Sequence, residues 1–233
     1  MALVTISREY GSAGSATARK VAELLDYHFV DKAVIGKILA GYGLIDFESE
    51  YDARSGIWST IDARQRVIVS MLERVTRAIA RHGDTVILGR GSYVILAHEP
   101  GVLNVRLHAP FAWRVTRVMQ EEGITDQARA EAIVREGDKV RASFISAFYG
   151  LRWDSFERFD IALDTSKIGS DRAAAWIAEA AKALPGAAPP KGSPGESSNP
   201  NVDSILDEAV SAELGREEKS RGSHAEESAS STN

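Results

Sequence analysis

The feature that most constrains this chain is the alternation of short apolar runs with longer amphipathic segments over residues 2 to 184. The apolar runs contain few polar residues, whereas the segments between them repeat their apolar residues at three- and four-residue steps. Strands that are apolar on both faces and are joined by helices belong to a parallel sheet covered on both sides. The sequence therefore predicts a three-layer α/β fold with a parallel five-stranded sheet. The predicted strands are ALVTI, HFV, DTVILG, LNVRLHA and FDIALDT.

Helices are predicted between these strands. Asp31 is expected to cap the second helix, and Pro110 suits the start of a helix. The segment from Trp58 to Arg81 has a single apolar face, which packing within one chain explains, although a homodimer through this helix stays open. The predicted helices are residues 14–27, 31–43, 58–81, 110–123, 126–150 and 171–184. The aromatic stretch AFYGLRWDSFERFD, which includes Trp153, is predicted to form a loop pinned onto the sheet.

The composition changes at residue 186. Proline, glycine and serine become dense there, and such a segment buries too little apolar surface to offset its ordering entropy. We therefore divide the chain into a folded domain, residues 1–185, and a disordered acidic tail, residues 186–233. Apolar residues at helical spacing allow a short helix near residues 201–214.

The charge and residue content limit the classes of function. The tail holds four of the 28 basic and nine of the 33 acidic residues, which leaves 24 of each in the body. A neutral body lacks the basic surplus of a nucleic-acid-binding protein. The absence of cysteine excludes disulfides and thiolate chemistry. Without a long apolar run or a secretory leader, we expect no membrane partner and a cytoplasmic location.

The turn after the first strand is the strongest candidate site. It reads SREYGSAGSAT, and Gly11 and Gly14 permit backbone conformations that bring a ligand close to the chain. The helix that follows offers unsatisfied amides and the positive end of its dipole to a phosphate. Ser12, Ser15 and Thr17 add hydroxyl groups. A strand-to-helix turn with glycines for geometry alone is an equally open interpretation of this motif by itself.

The turn departs from the usual phosphate-binding loop, G-x-x-x-x-G-K-[ST]. If Gly14 is the last glycine, Glu9 takes the place of the first glycine and Ser15 takes the place of the lysine. Arg8 is then the best candidate to supply positive charge, because a guanidinium group matches phosphate geometry. Lys20 lies about a turn and a half into the helix.

Four stretches together resemble the cytidylate kinase-like family: VTISREYGSAGSATARKVAELL, HFVDKAVI, VILGRGSYVIL and FDIALDTS. The resemblance covers most of residues 3 to 184. It implies a P-loop-type sheet with a lid-like helical segment, ATP with Mg²⁺ at the first loop, and a nucleoside monophosphate opposite. It also implies that Thr17 is a magnesium ligand, although the lysine of the family loop is replaced by Ser15.

The resemblance implies further site residues. Asp31 and Lys37 correspond to acceptor-binding positions after the second strand. Arg90 is retained after the third strand, where Gly91 replaces an aspartate. The lid arginines correspond to Arg114, Arg117, Arg135 and Arg141, with Asp138 placed to orient guanidinium groups next to the acceptor. Arginines at three-residue steps share a helix face, and phosphoryl transfer needs such cations, although a solvated ladder of ion pairs gives the same pattern.

Three functions are therefore open. The first is ATP-dependent phosphoryl transfer to a nucleoside monophosphate, with CMP or dCMP favoured. The second is nucleotide or anion binding with little catalysis, which Ser15 and Gly91 favour. The third keeps phosphoryl transfer but uses another small acceptor. Fold alone does not decide among them.

Overall fold

The central sheet confirms the predicted fold. The computed structural model describes residues 2–41, 63–184 and 204–230. Within them, parallel strands form a five-stranded sheet in the order β2-β3-β1-β4-β5. All five predicted runs form strands: β1 Leu3–Arg8, β2 His28–Val30, β3 Thr85–Leu88, β4 Val102–His108 and β5 Ile161–Asp164.

The helices follow the predicted segments to within a few residues. Asp31 caps the second helix as expected, because its carboxylate accepts from the amides of Ala33 and Val34. Residues 58–62 of the predicted long helix lie outside the described part of the chain. The helices are α1 Gly14–Leu25, α2 Lys32–Gly41, α3 Ala63–His82, α4 Ser92–Ile95, α5 Phe111–Glu122, α6 Gln127–Tyr149, α7 Thr165–Ile168, α8 Ser170–Ala183 and α9 Ser204–Ser230.

The sheet has an apolar core on each face. On one face, Val4 and Ile6 of β1 pack with residues of α1 and α8, such as Val21 and Ile177. On the other face, a larger cluster joins α2, α3 and the second half of α6. Because both faces are covered, ligands can reach the sheet only at its edges and strand ends.

Strand β1 lies at the centre of the sheet and sets the position of the site. Its register places Ile6 beside Leu88 of β3, and Arg8 beside Leu107 of β4. The turns after β1 and β3 therefore meet at the carboxyl edge, which is where parallel α/β sheets bind ligands.

The C-terminal region differs from the expectation of a disordered tail. Ser204–Ser230 form a helix that is longer than the predicted one. Leu206, Val210 and Leu214 are buried in the core next to α2 and α3. Their four-residue spacing forms a stripe along one helix face, and burying that stripe stabilises the helix. The proposed boundary at residue 186 lies outside the described residues and stays a prediction.

The chain offers no membrane-spanning helix in the regions that the structure describes, because none of the helices there is both long enough and apolar enough to cross a bilayer.

Candidate active site

The turn between β1 and α1 has an unusual backbone. Gly11 has φ +78° and Ala13 has φ +58°, so both residues have a left-handed backbone conformation. A Cβ atom at Gly11 would stand 2.9 Å from the carbonyl oxygen of Arg114. Glycine is therefore required at this position by the close approach of α5. The alanine at position 13 holds its conformation at a cost of about 1 kcal/mol, which is typical of strain at functional sites.

The turn leads directly into the first amides of α1. Gly14, Ser15 and Ala16 lie in the first turn of α1, where backbone N–H groups have no acceptor within the helix. Two of the three side-chain hydroxyls nearby hold the turn itself. Ser12 donates to the carbonyl of Glu9 at 2.8 Å, and Thr17 donates to the carbonyl of Ala13 at 3.0 Å. The first turn of α1 is thus built to receive an anion.

Arg8 crosses the site. Its side chain lies so close to Gly14 and Gly89 that a Cβ atom on either glycine would overlap it. Gly14 begins α1, and Gly89 follows β3. The two glycines therefore allow a guanidinium group from the end of β1 to lie between the two turns. The sequence pointed to Arg8 as a source of charge, and the structure adds the path that its side chain takes.

Two cavities open on either side of Arg8. The smaller, about 220 Å³, runs along residues 8–16 and is closed by α5; we call it the loop cavity. The larger, about 580 Å³, lies over the carboxyl ends of β1 and β3 and is walled by α6; we call it the strand-end cavity. The residues that line both cavities are Arg8, Tyr10, Ser15 and Arg141.

Arg141 is the lid arginine that reaches this junction. It donates to the carbonyl of Gly137 one turn earlier in α6, and its guanidinium carbon lies 5.3 Å from the centre of the Tyr10 ring. Tyr10 packs directly on Gly137, where a Cβ atom would overlap the ring. Burial raises the pKa of Tyr10, and the hydrogen bond to Glu122 acts in the same direction, so its phenol stays protonated.

Arg90 lines the strand-end cavity from the turn after β3. Gly89, Arg90 and Gly91 all have positive φ, and Arg90 at +55° is the non-glycine member. Its side chain is buried. A Cβ atom at Gly91 would stand 3.3 Å from both the Phe144 and Tyr149 rings, which explains why a glycine follows Arg90 here. The strained turn thus holds Arg90 at the cavity.

Arg114 and Asp138 form a clamp instead of facing a cavity. Arg114 donates to Asp138 at 2.7 Å and to the carbonyl of Tyr10 at 3.0 Å, and it lies 3.2 Å from a carboxylate oxygen of Glu9. Asp138 also accepts from the Tyr10 amide at 2.8 Å. Neither Arg114 nor Asp138 lines either cavity. This network ties the turn after β1 to α5 and α6, and the predicted catalytic role of Arg114 stays a prediction.

Among the remaining predicted residues, Asp31, Lys37 and Arg135 lie outside the cavity linings. Asp31 caps α2 and forms an ion pair with Arg19, and its neighbour Lys32 lines the strand-end cavity instead. Lys37 forms an ion pair with Glu213 of α9 at 3.1 Å. Arg135 is 63% exposed, where it binds Glu131 and covers the ring of Phe111. Arg117 does line the loop cavity. Sequence spacing alone could not separate Arg135 from Arg141, because both lie on α6.

One buried cation at the site was missed. Arg106 on β4 is 2% exposed and donates to the Ser7 hydroxyl at 3.0 Å. Its guanidinium carbon lies 4.0 Å from the centre of the Trp153 ring. Burial lowers the pKa of Arg106, although the negative charge of Glu9 opposes that shift. The arginine in the otherwise apolar strand LNVRLHA was the available signal.

The turn suits an anion better than it suits a directly bound metal. Among the described residues, no group of three or more His, Cys, Asp or Glu side chains could hold a metal ion. Thr17, the predicted magnesium ligand, is fully buried and donates its hydroxyl to Ala13. Ser15 is the hydroxyl of this turn that lines both cavities.

Taken together, the strand order, the turn after β1 and the paired cavities define a P-loop-kinase-type α/β protein. The chain belongs to the cytidylate kinase-like family, whose sequence model matches residues 3–167. The match runs from β1 through most of α7 and so contains both cavities.

Individual relatives agree with this assignment. The chain is similar to a cytidylate kinase of Ignicoccus hospitalis, with 29% identity over 73% of this chain and 94% of that protein. It is also similar to a cytidylate kinase of Methanopyrus kandleri, with 28% identity over 72% of this chain and 87% of that protein. A match to a uronate isomerase of Corynebacterium glutamicum, at 27% identity, covers 53% of this chain but only 23% of that protein.

Comparison with a solved structure supports the fold assignment and carries no information on function. An uncharacterized protein from Eubacterium ventriosum superimposes with a TM-score of 0.61 and 20% identity, over 78% of this chain and 99% of that one.

Proposed function

We propose that this protein transfers a phosphoryl group from ATP to a nucleoside monophosphate, with CMP or dCMP as the favoured acceptor. The observation that carries this proposal is the meeting of two cavities at Arg8 and Arg141. A donor and an acceptor bound in separate cavities must exchange the phosphoryl group where the cavities join. Cations are needed at that junction, because the reaction depends on positioning and on stabilising negative charge.

The loop cavity suits the phosphates of ATP. The first amides of α1 and the positive end of its dipole point to it, and Arg117, which is paired with Glu121, lines it on the α5 side. The left-handed residues Gly11 and Ala13 shape the backbone so that these amides face one way. Magnesium, when bound, neutralises charge on the phosphates, which supply most of its ligands together with water. We propose the Ser15 hydroxyl, at the junction, as the protein group beside it.

Arg8 is the proposed substitute for the missing loop lysine. The lysine of a usual loop reaches back from the start of the helix to the terminal phosphates. Arg8 approaches the same region from the end of β1, over Gly14 and Gly89. A planar guanidinium group can hold two phosphate oxygens at once, one from each substrate.

The strand-end cavity suits the acceptor. Arg90 and Lys32 line it, so a monophosphate bound there would meet positive charge. Arg90 is held in place by the strained turn after β3 and cannot readily turn away. We propose Arg90 as the main contact for the phosphate of the acceptor.

The second candidate function is nucleotide binding with little turnover. The replacement of the loop lysine by Ser15 favours it, because no lysine lies in the first turn of α1. Both functions predict binding of ATP, and only the first predicts formation of ADP that depends on the acceptor.

The test is to measure ADP formation from ATP and Mg²⁺ with CMP, dCMP, UMP, AMP and GMP in turn. We expect turnover with CMP or dCMP. Arg8→Met keeps an unbranched side-chain stem and removes the guanidinium group, and should lower kcat at least about 100-fold, since an arginine at the transition state is worth about 10³ to 10⁵. Arg129→Met, on the exposed surface of α6, is the matched control and should stay within about twofold of the wild type.

Tight ATP binding without acceptor-dependent ADP formation would favour the second function. Equal kcat in the Arg8→Met and Arg129→Met variants would refute the role of Arg8.

A further inference from the structure

Part of the wall of the strand-end cavity is aromatic. Trp153 and Tyr93 both line this cavity. Phe159 stacks on Tyr93 with ring centres 4.6 Å apart. These side chains come from the loop between α6 and β5 and from α4, so two separate chain segments contribute aromatic rings to this region.

Arg106 holds this aromatic surface from behind. Its guanidinium carbon lies 4.0 Å from the centre of the Trp153 ring and 5.8 Å from that of Phe159. The same guanidinium donates to the hydroxyl of Ser7, which also lines the cavity. A buried arginine loses hydration, and these contacts compensate for part of that free-energy cost. The indole of Trp153 is therefore fixed in orientation as well as in place.

The lining of the cavity thus combines two chemistries. Its lining includes the arginines Arg8, Arg90 and Arg141, and also the aromatic rings of Trp153 and Tyr93. A ligand that fits has an anionic group joined to a flat ring. Aromatic side chains bind such rings by stacking, and this contact accepts any base.

The Ser7 hydroxyl adds a polar contact to this wall. Because Ser7 accepts from Arg106, its own hydrogen is left to point elsewhere. A ring that carries a carbonyl or a ring nitrogen could accept that hydrogen.

We propose that Trp153, positioned by Arg106, forms the recognition wall for the planar ring of the acceptor, so that the acceptor class is a phosphorylated compound with an aromatic base. This inference rests on the proposed function, because it takes the strand-end cavity as the acceptor site. Trp153 contacts the acceptor in this proposal, and Arg106 is a positioning residue. An alicyclic or open-chain acceptor would gain little from the wall.

The test compares CMP with ribose 5-phosphate, which keeps the phosphate and the sugar but lacks the base. Affinities of the full-length protein for each compound are measured by titration calorimetry. In the wild type, CMP should bind more tightly than ribose 5-phosphate. Trp153→Leu should weaken CMP binding about 5- to 150-fold, the range for loss of one stacked base, and leave ribose 5-phosphate unchanged. Trp153→Phe keeps an aromatic ring and should restore most of the affinity for CMP.

Trp176 provides the matched control. It is 47% exposed on α8 and does not line the cavity. With excitation at 295 nm, CMP should quench the fluorescence of the wild type and of Trp176→Phe, and this quenching should be lost in Trp153→Phe. The fluorescence comparison does not use Trp153→Leu, so it tests the inference even if that variant fails to fold.

Three outcomes would overturn the inference: equal affinity of the wild type for the two compounds, absence of binding for both, or equal weakening of both by Trp153→Leu. Its failure is distinguishable from failure of the proposed function. If Trp153→Leu turns over CMP with an unchanged KM, the role of Trp153 in acceptor recognition is refuted and the transfer reaction is not. Binding of CMP that depends on Trp153, without any ADP formation, refutes the transfer reaction alone.

Discussion

Positive charge is held in different ways at two edges of this molecule. At the edge formed by β2 and α9, cations bind carboxylates: Lys37 binds Glu213, and Arg81 binds Asp207 at 2.9 Å. At the carboxyl edge of the sheet, Arg106 is held by a hydroxyl and an aromatic ring, and Arg141 by a backbone carbonyl and the Tyr10 ring. Contacts with neutral groups thus contribute to holding these two guanidinium groups at the carboxyl edge.

The difference separates structural cations from candidate functional ones better than residue type does. Arg114 shows this within the site itself, since its contacts with Asp138 and Glu9 make it a clamp for the loop. Buried ion pairs of this kind fix geometry and contribute little net stability.

The largest expected effect is on the two arginines of α6. Arg141→Met should lower kcat with CMP by about 10³-fold, because Arg141 lies at the junction of the cavities, where charge develops. Arg135→Met should change kcat by less than about threefold, because Arg135 binds Glu131 at the surface. Steady-state ADP formation at saturating ATP measures both. A similar loss of kcat in the two variants would contradict the distinction between Arg141 at the cavity junction and Arg135 at the surface.

The next effect concerns the stability provided by α9. Leu214→Ala should lower the free energy of unfolding by about 2–4 kcal/mol, because it removes buried methyl groups next to α2 and α3. Ile205→Ala, on the same helix but 64% exposed, should change it by less than about 0.5 kcal/mol. Urea denaturation of the full-length protein gives both values. An equally small effect of the two substitutions would mean that α9 does not pack on the body in solution.

The smallest effect concerns Lys37. Lys37→Met breaks the ion pair with Glu213. Because the Lys37 side chain is 67% exposed, the loss should cost less than about 1 kcal/mol of unfolding free energy. The KM for CMP should not change, because Lys37 does not line the strand-end cavity. A rise in that KM of tenfold or more, with little effect on stability, would instead support the acceptor-binding role that the family resemblance implies.

The elements of the fold were largely predictable, and the site was predictable in part. Apolar runs and helical repeats identify strands and helices because burial follows local periodicity, as HFV and the Asp31 cap show. The turn after β1 and Arg8 were found for the same local reason. The helix α9 was only partly foreseen, because its stability depends on a groove formed by α2 and α3, which lie far away in the sequence.

What this sequence determines by itself is the layered parallel sheet and the anion-receptive start of α1, since both follow from residues adjacent along the chain. Only the tertiary structure decided which arginines serve the cavities. Arg114, Arg135 and Arg141 look alike in sequence, and their roles diverge because Asp138, Glu131 and Tyr10 meet them in space. A side chain's electrostatic role depends on its neighbours, and the neighbours of Arg106, from Ser7 to Trp153, are brought together only by folding.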